Sequence, residues 1–150
     1  MQVTVSTDWL EKNHQDVIVL DASWYLPSEN RDSFNEFKSR HIPNAQFFDI
    51  DVISDTNSPL PHMLPSPSSF NDHVENLGIS NNLKIIIYDT EGLFSAARAW
   101  WMFKIMGHIE VFILDGGIPK WISENKPISD SPQKAKRGSF LSTFKPSSIV

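Results

Sequence analysis

Ile85, Ile86 and Ile87 lead through Tyr88 into Asp89-Thr90-Glu91-Gly92, and an apolar helical stretch follows. A strand that delivers a polar residue into a short loop before a helix is how α/β enzymes display a nucleophile or hold an anion. The free N–H groups of the helix start point into that loop. An Asp in this place has two chemical readings. In the first, Asp89 is the nucleophile of a hydrolase, a site that also wants an Asp two residues on as acid/base and metal ligand. Position 91 is Glu, which is longer. In the second, Asp89 and Glu91 support the helix that starts near Phe94, where each negative charge stabilises by ~0.3–1 kcal/mol. The loop amides are then satisfied from within, and an external anion is repelled.

A second pair is Asp51, at the end of "FFDID", and His62, in a Pro-rich run. A loop His within reach of an Asp is the base half of a nucleophilic relay. The chain offers no identifiable nucleophile to complete it. Its cysteine count is zero, which removes thiol nucleophiles, thiolate metal sites and disulfides together. His41, before a turn in "RHIP", is expected to bond backbone through its ring. His14, His73 and His108 are expected at the surface. Arg98 is expected to pair with Asp89 or Asp115. The "DGG" at Asp115 to Gly117 lacks the G-x-G-x-x-G spacing of a nucleotide site, so its glycines imply a tight turn or close packing.

The elements that must position these groups follow from pattern. "VSTDWLEKN" reads as a helix capped by Ser6 or Thr7. "DVIVLDAS" is a β-branched run of strand length. A loop, a short helical turn and a strand near Ala45 to Phe48 come next. Residues 52–67, with four prolines, form a long irregular loop. Ser66 caps a helix with Pro67 at its first position, and Gly78 stops it. Lys84 to Tyr88 is a strand, Ser95 to Met106 a helix ended by Gly107, "IEVFIL" a strand and "IPKWISEN" a short helix. Trp100 and Trp101 are expected to pack on the core. From Lys126 onward Pro, Ser and Lys dominate, as in a linker or tail rather than core.

Alternating strands and helices imply an α/β domain with a mainly parallel sheet. Sites in such sheets lie outside the carboxyl ends of the strands. Asp21, Asp49, Asp89 and Asp115 each follow an apolar run, so they are expected as a row of acids on that edge.

At 150 residues the chain has the size of one domain. A net charge of -5 argues against general nucleic-acid binding. No apolar run approaches the ~20 residues of a membrane span. The start "MQVTVSTDW" does not read as a signal peptide, so no membrane association and a cytoplasmic location are the expectation.

Taken together, "LDASWYLP", "RDSFNEFKSRHIPNAQFFDID", "SPLPHMLPSPSSF", "YDTEGLFSAARAWWMFKIMGH" and "LDGGIPKW" resemble one family. It is that of the N-terminal domain of the 3-mercaptopyruvate sulfurtransferases and of the related two-domain thiosulfate sulfurtransferases, the rhodaneses. The motifs occur in the same order from Val3 to about Lys126.

The resemblance implies a three-layer rhodanese-like fold, a central mainly parallel sheet flanked by helices. It implies a non-catalytic rhodanese domain over 1–125 and an inter-domain linker or tail over 126–150. It places Asp89 where the catalytic domain of the family carries its Cys, a degenerate nucleophile position, since a carboxylate cannot form a persulfide. It matches Asp51 and His62 to an Asp and a His that complete a relay with a Ser of the second domain. The "SWYLP" and "RDSFNEF" segments line the same cleft by resemblance. The implied role is the cysteine-less half of a sulfurtransferase that moves sulfane sulfur from 3-mercaptopyruvate or thiosulfate to a thiol or cyanide. Its implied partners are a catalytic rhodanese domain and a small sulfur donor, with no cofactor and no metal. The competing reading is a stand-alone non-catalytic rhodanese-like binding or regulatory module.

Overall fold

The computed structural model describes residues 3–25, 27–53, 65–90 and 94–143. The chain order is β1 (Thr4–Val5), α1 (Thr7–Asn13), β2 (Ile18–Asp21), α2 (Ser33–Ser39), β3 (Gln46–Phe47) and α3 (Ile50–Ile53). Then follow α4 (Pro67–Asn76), β4 (Ile85–Tyr88), α5 (Phe94–Ile105), β5 (Val111–Leu114) and α6 (Gly117–Ser123). The five strands form one sheet in the order β1-β5-β4-β2-β3, and every neighbouring pair is parallel.

Strand alternation explains the three layers. Successive side chains of a strand point to opposite faces. Ile85 and Ile87 of β4 pack with α3, α4 and α5 through Ile50, Ile53, Phe70, Val74 and Phe103. Ile86 and Tyr88 pack with α1, α2 and α6 through Leu10, Phe37, Ile118 and Trp121. A strand covered on both faces has no polar side to show, which is why "IIIY" reads as an unbroken apolar run.

The local signals act as expected. The Ser6 hydroxyl accepts the Trp9 N–H at 3.0 Å and is the cap of α1, and the Ser66 hydroxyl accepts the Ser69 N–H at 3.3 Å ahead of Pro67. Gly78 and Gly107 end their helices at φ of 84° and 91°, a region that favours glycine.

Two expectations are corrected. His108 is buried, not at the surface: its Nε2 bonds the Leu83 carbonyl at 2.8 Å and its ring lies among Phe103 and Phe140. His14 and His73 are half-buried. The segment after Lys126 is not wholly outside the core. Phe140 is 3% exposed and meets Phe70 and Phe103 edge-on. Arg137 pairs with Asp72 and Glu75, the Gly138 N–H reaches the Glu75 carbonyl, and the Thr143 N–H reaches the Met106 carbonyl. Average composition reported the polarity of this segment and hid Phe140, which anchors it to the core.

Candidate functional site

The sheet order locates the site. The chain leaves β2 towards β3 on one side and leaves β4 towards β5 on the other. The crevice between the carboxyl ends of β2 and β4 is therefore the switch point where α/β sheets bind ligands. Asp21 ends β2 beside Tyr88 in register, and Asp89 follows Tyr88. The expected row of acids lies on this edge, and it is not uniform. Asp21 and Asp89 are buried at its centre, Asp49 is half-buried, and Asp115 is exposed.

Asp89 is 1% exposed and is bound into its own loop. Its Oδ2 accepts the Ala96 N–H at 2.9 Å and the Ser95 hydroxyl at 3.4 Å, inside the first turn of α5. Its backbone carbonyl accepts the Ile118 N–H at 3.1 Å. Gly117, at φ 61°, comes so close that a Cβ there would stand 2.5 Å from that carbonyl oxygen. This is the close packing expected of "DGG". The helix start that would hold an anion is occupied by the chain's own carboxylate.

Asp51 lies on α3, exposed, and both its carboxylate oxygens receive the indole N–H of Trp24, at 3.1 and 3.2 Å. The Asp49 carboxylate accepts the N–H groups of Asp51 and Val52 at 3.1 and 3.3 Å and so caps the turn that carries Asp51. His62 lies outside the described residues, as does Glu91. Arg98 stacks over Trp101 at 4.5 Å, and burial pushes its pKa down. Asp115, one of the two acids expected to meet Arg98, lies 3.9 Å from Lys120. His41 bonds backbone as expected, with its Nδ1 2.7 Å from the Phe37 carbonyl.

A cavity of about 450 Å³ opens at the switch point, on the α2 and α6 side of the sheet. Asp21, Ser23, Tyr25, Arg31, Glu36 and Arg40 line it, with Thr90 from the loop after β4. Burial pushes the Asp21 carboxyl up to about 6, aided by the neighbouring Asp89 charge and opposed by Ser23 and Tyr88. Arg31 grips Glu36 through Nε at 3.0 Å and Nη2 at 2.8 Å, and holds its carboxyl below the usual range. Arg31 also lies 3.8 Å from the Tyr25 ring centre, and the Tyr25 hydroxyl donates to Glu36 at 2.9 Å. Burial and Glu36 raise the Tyr25 phenol to about 12 against the opposing effect of Thr90.

The sequence marked Asp21 only as one acid of a row, and Trp24 only as part of a segment. Their roles depend on β2 pairing with β4 and on α3 folding back over the loop after β2. The spacing of Arg31 and Glu36 in "RDSFNE" is a local cue to their pairing. Among the described residues no cluster of His, Asp or Glu could hold a metal ion. No described helix is long and apolar enough to cross a membrane.

The model of the rhodanese-like domain matches residues 6–124. The chain is 47% identical over 129 residues to the mitochondrial thiosulfate/3-mercaptopyruvate sulfurtransferase 1 of Arabidopsis thaliana, covering 85% of this chain and 34% of that protein. It is 45% identical to the 3-mercaptopyruvate sulfurtransferase of Rattus norvegicus, covering 97% of this chain and 52% of that one. The crystal structure of SseA from Escherichia coli, described with the rhodanese fold of 3-mercaptopyruvate sulfotransferases, superposes with a TM-score of 0.93 at 38% identity. It covers all of this chain and 58% of that one. The chain thus spans about half the length, or less, of these curated relatives.

Proposed function

This chain belongs to the rhodanese-like domain family, and on that premise we propose that it is the cysteine-less half of a sulfurtransferase. The observation that carries this reading is Asp89. It stands at the carboxyl end of β4, in the loop that starts α5, with its carboxylate on the Ala96 N–H. A family whose relatives are named sulfurtransferases needs a sulfur carrier, and this loop holds a group that cannot carry sulfur. The carrier thiolate then belongs to a second rhodanese domain.

In the parent reaction that thiolate attacks the thiol sulfur of 3-mercaptopyruvate or the outer sulfur of thiosulfate. A sulfur–sulfur bond forms on the cysteine, and the donor's bond to that sulfur breaks. The electron pair leaves with the pyruvate enolate, which takes a proton, or with sulfite. A thiol or cyanide then accepts the outer sulfur and regenerates the thiolate. This half supports the catalytic domain and lines the shared cleft. His62 moves a proton there, and Asp51 orients His62. The double hydrogen bond from Trp24 supports the second role, because it limits how the Asp51 carboxylate can turn.

The purified chain, given 3-mercaptopyruvate or thiosulfate with dithiothreitol or cyanide, is expected to release no sulfide or thiocyanate. Turnover would refute the reading. Adding a separately produced, Cys-bearing rhodanese domain is expected to yield transfer that Asp51→Asn weakens. A chain that neither binds nor assists that domain is instead the stand-alone binding module.

A further inference from the structure

The switch-point cavity holds charges that internal pairing leaves unmatched. Four charged side chains line it: Asp21, Glu36, Arg31 and Arg40. Arg31 and Glu36 neutralise each other through two hydrogen bonds. That leaves one acid and one base. Asp21 is 2% exposed, and among the described residues it has no ion pair. The Ser23 N–H, at 2.9 Å, and the neighbouring Tyr88 hydroxyl use only part of its accepting capacity. Arg40 is exposed; its field reaches Glu36, but among the described residues its guanidinium makes no ion pair.

Ser23 is the second, independent sign of a ligand. It is 4% exposed and lines the cavity, and its hydroxyl makes no hydrogen bond within the described residues. It lies near enough to Asp21 to favour the carboxylate, yet outside hydrogen-bonding geometry with it. A buried hydroxyl left unmatched is costly, and a polar ligand group would recover that cost. Phe37 and Ile118 give the same cavity an apolar wall. Its volume of about 450 Å³ falls in the ~300–1,000 Å³ range of small-molecule sites.

We propose that this cavity binds a small zwitterion of the α-amino-acid class, with its ammonium on Asp21 and Ser23 and its carboxylate on Arg40. The assignment follows from charge and depth. An ammonium supplies three donors and one positive charge to the buried Asp21–Ser23 pair. A carboxylate suits the single uncommitted guanidinium at the rim. A phosphate-like dianion is disfavoured, because Asp21 would repel it and only one uncommitted arginine faces it. The apolar wall receives the hydrocarbon part. Asp89 is bound into the neighbouring loop and Thr90 after it lines the cavity, so the ligand site adjoins the degenerate nucleophile position without using it. The inference does not rest on the sulfur-transfer reading.

The test is saturation-transfer NMR on the full chain with each of the common amino acids at millimolar concentration. Each is paired with its N-acetyl and its amide derivative, which remove one charge apiece. At least one amino acid is expected to bind, and its two derivatives are expected to bind about tenfold more weakly or not at all. Ser23→Ala and Arg40→Ala are each expected to weaken binding about tenfold, with an unchanged circular dichroism spectrum. The proposal is overturned if no amino acid binds, or if both derivatives bind as well as their parent. It is also overturned if the two folded variants bind like the native chain. Should a variant fail to fold, the derivatives on the native chain decide.

Discussion

Asp21→Asn has a calculable effect on stability, and its sign is unusual. The native Asp21 carboxyl is pushed from its ordinary 3.8 up to about 6, mainly by burial. The folded chain therefore holds that proton at a pH where the unfolded chain has released it. Below about pH 4 both states are protonated and Asp21 costs nothing. As pH rises towards 6, ionisation favours the unfolded chain, and above that the penalty is constant. At ~1.4 kcal/mol for each tenfold change in proton affinity, the rise from 3.8 to about 6 is worth roughly 3 kcal/mol. Asn cannot ionise, and its carbonyl oxygen can still accept the Ser23 N–H. The variant is expected to gain on the native chain by roughly 3 kcal/mol between about pH 4 and pH 8, with the change complete near the native pKa. Urea unfolding of both proteins across that range measures it, and their difference cancels the titrating groups that do not interact with Asp21. A difference that stays constant with pH would refute the reasoning, and so would one that falls as pH rises.

Phe140→Ala removes a buried ring that meets Phe70, Phe103 and His108, so it is expected to cost ~3–5 kcal/mol in urea unfolding. A loss below ~1 kcal/mol would show that the segment after Lys126 does not hold the core. Gly117→Ala forces a Cβ to 2.5 Å from the Asp89 carbonyl oxygen at φ 61°, and is expected to lower stability by more than ~1 kcal/mol. An unchanged melting temperature would remove that contact from the account. His108 is held below its ordinary 6.5 by burial, so its protonation favours unfolding and the native chain loses stability as pH falls below 6.5. His108→Gln keeps a donor for the Leu83 carbonyl and is expected to flatten that loss in the same pH series; an unaltered slope would contradict it.

What the sequence determined by itself is local or compositional. Ser6 and Ser66 cap because a hydroxyl reaches an N–H three residues on, and Gly78 and Gly107 stop helices because their backbone must enter positive φ. The apolar run before Asp89 marks a strand buried on both faces, and the lack of cysteine excludes a thiolate carrier in this chain. Family motifs extended that reading to a parallel rhodanese-like sheet.

The tertiary structure decided what distant segments do to one another. Nothing near Asp21 in the chain says that β4 will lie beside β2 and bury two acids together. Nothing in "KRGSF" says that one phenylalanine will join the core, and nothing beside His108 says that it will be covered by that ring. Hydrophobic burial has no sequence direction, so it selects partners by shape and sheet order. The raised pKa of Asp21 and the unmatched hydroxyl of Ser23 are products of that selection, and they are where the chain still has chemistry to offer.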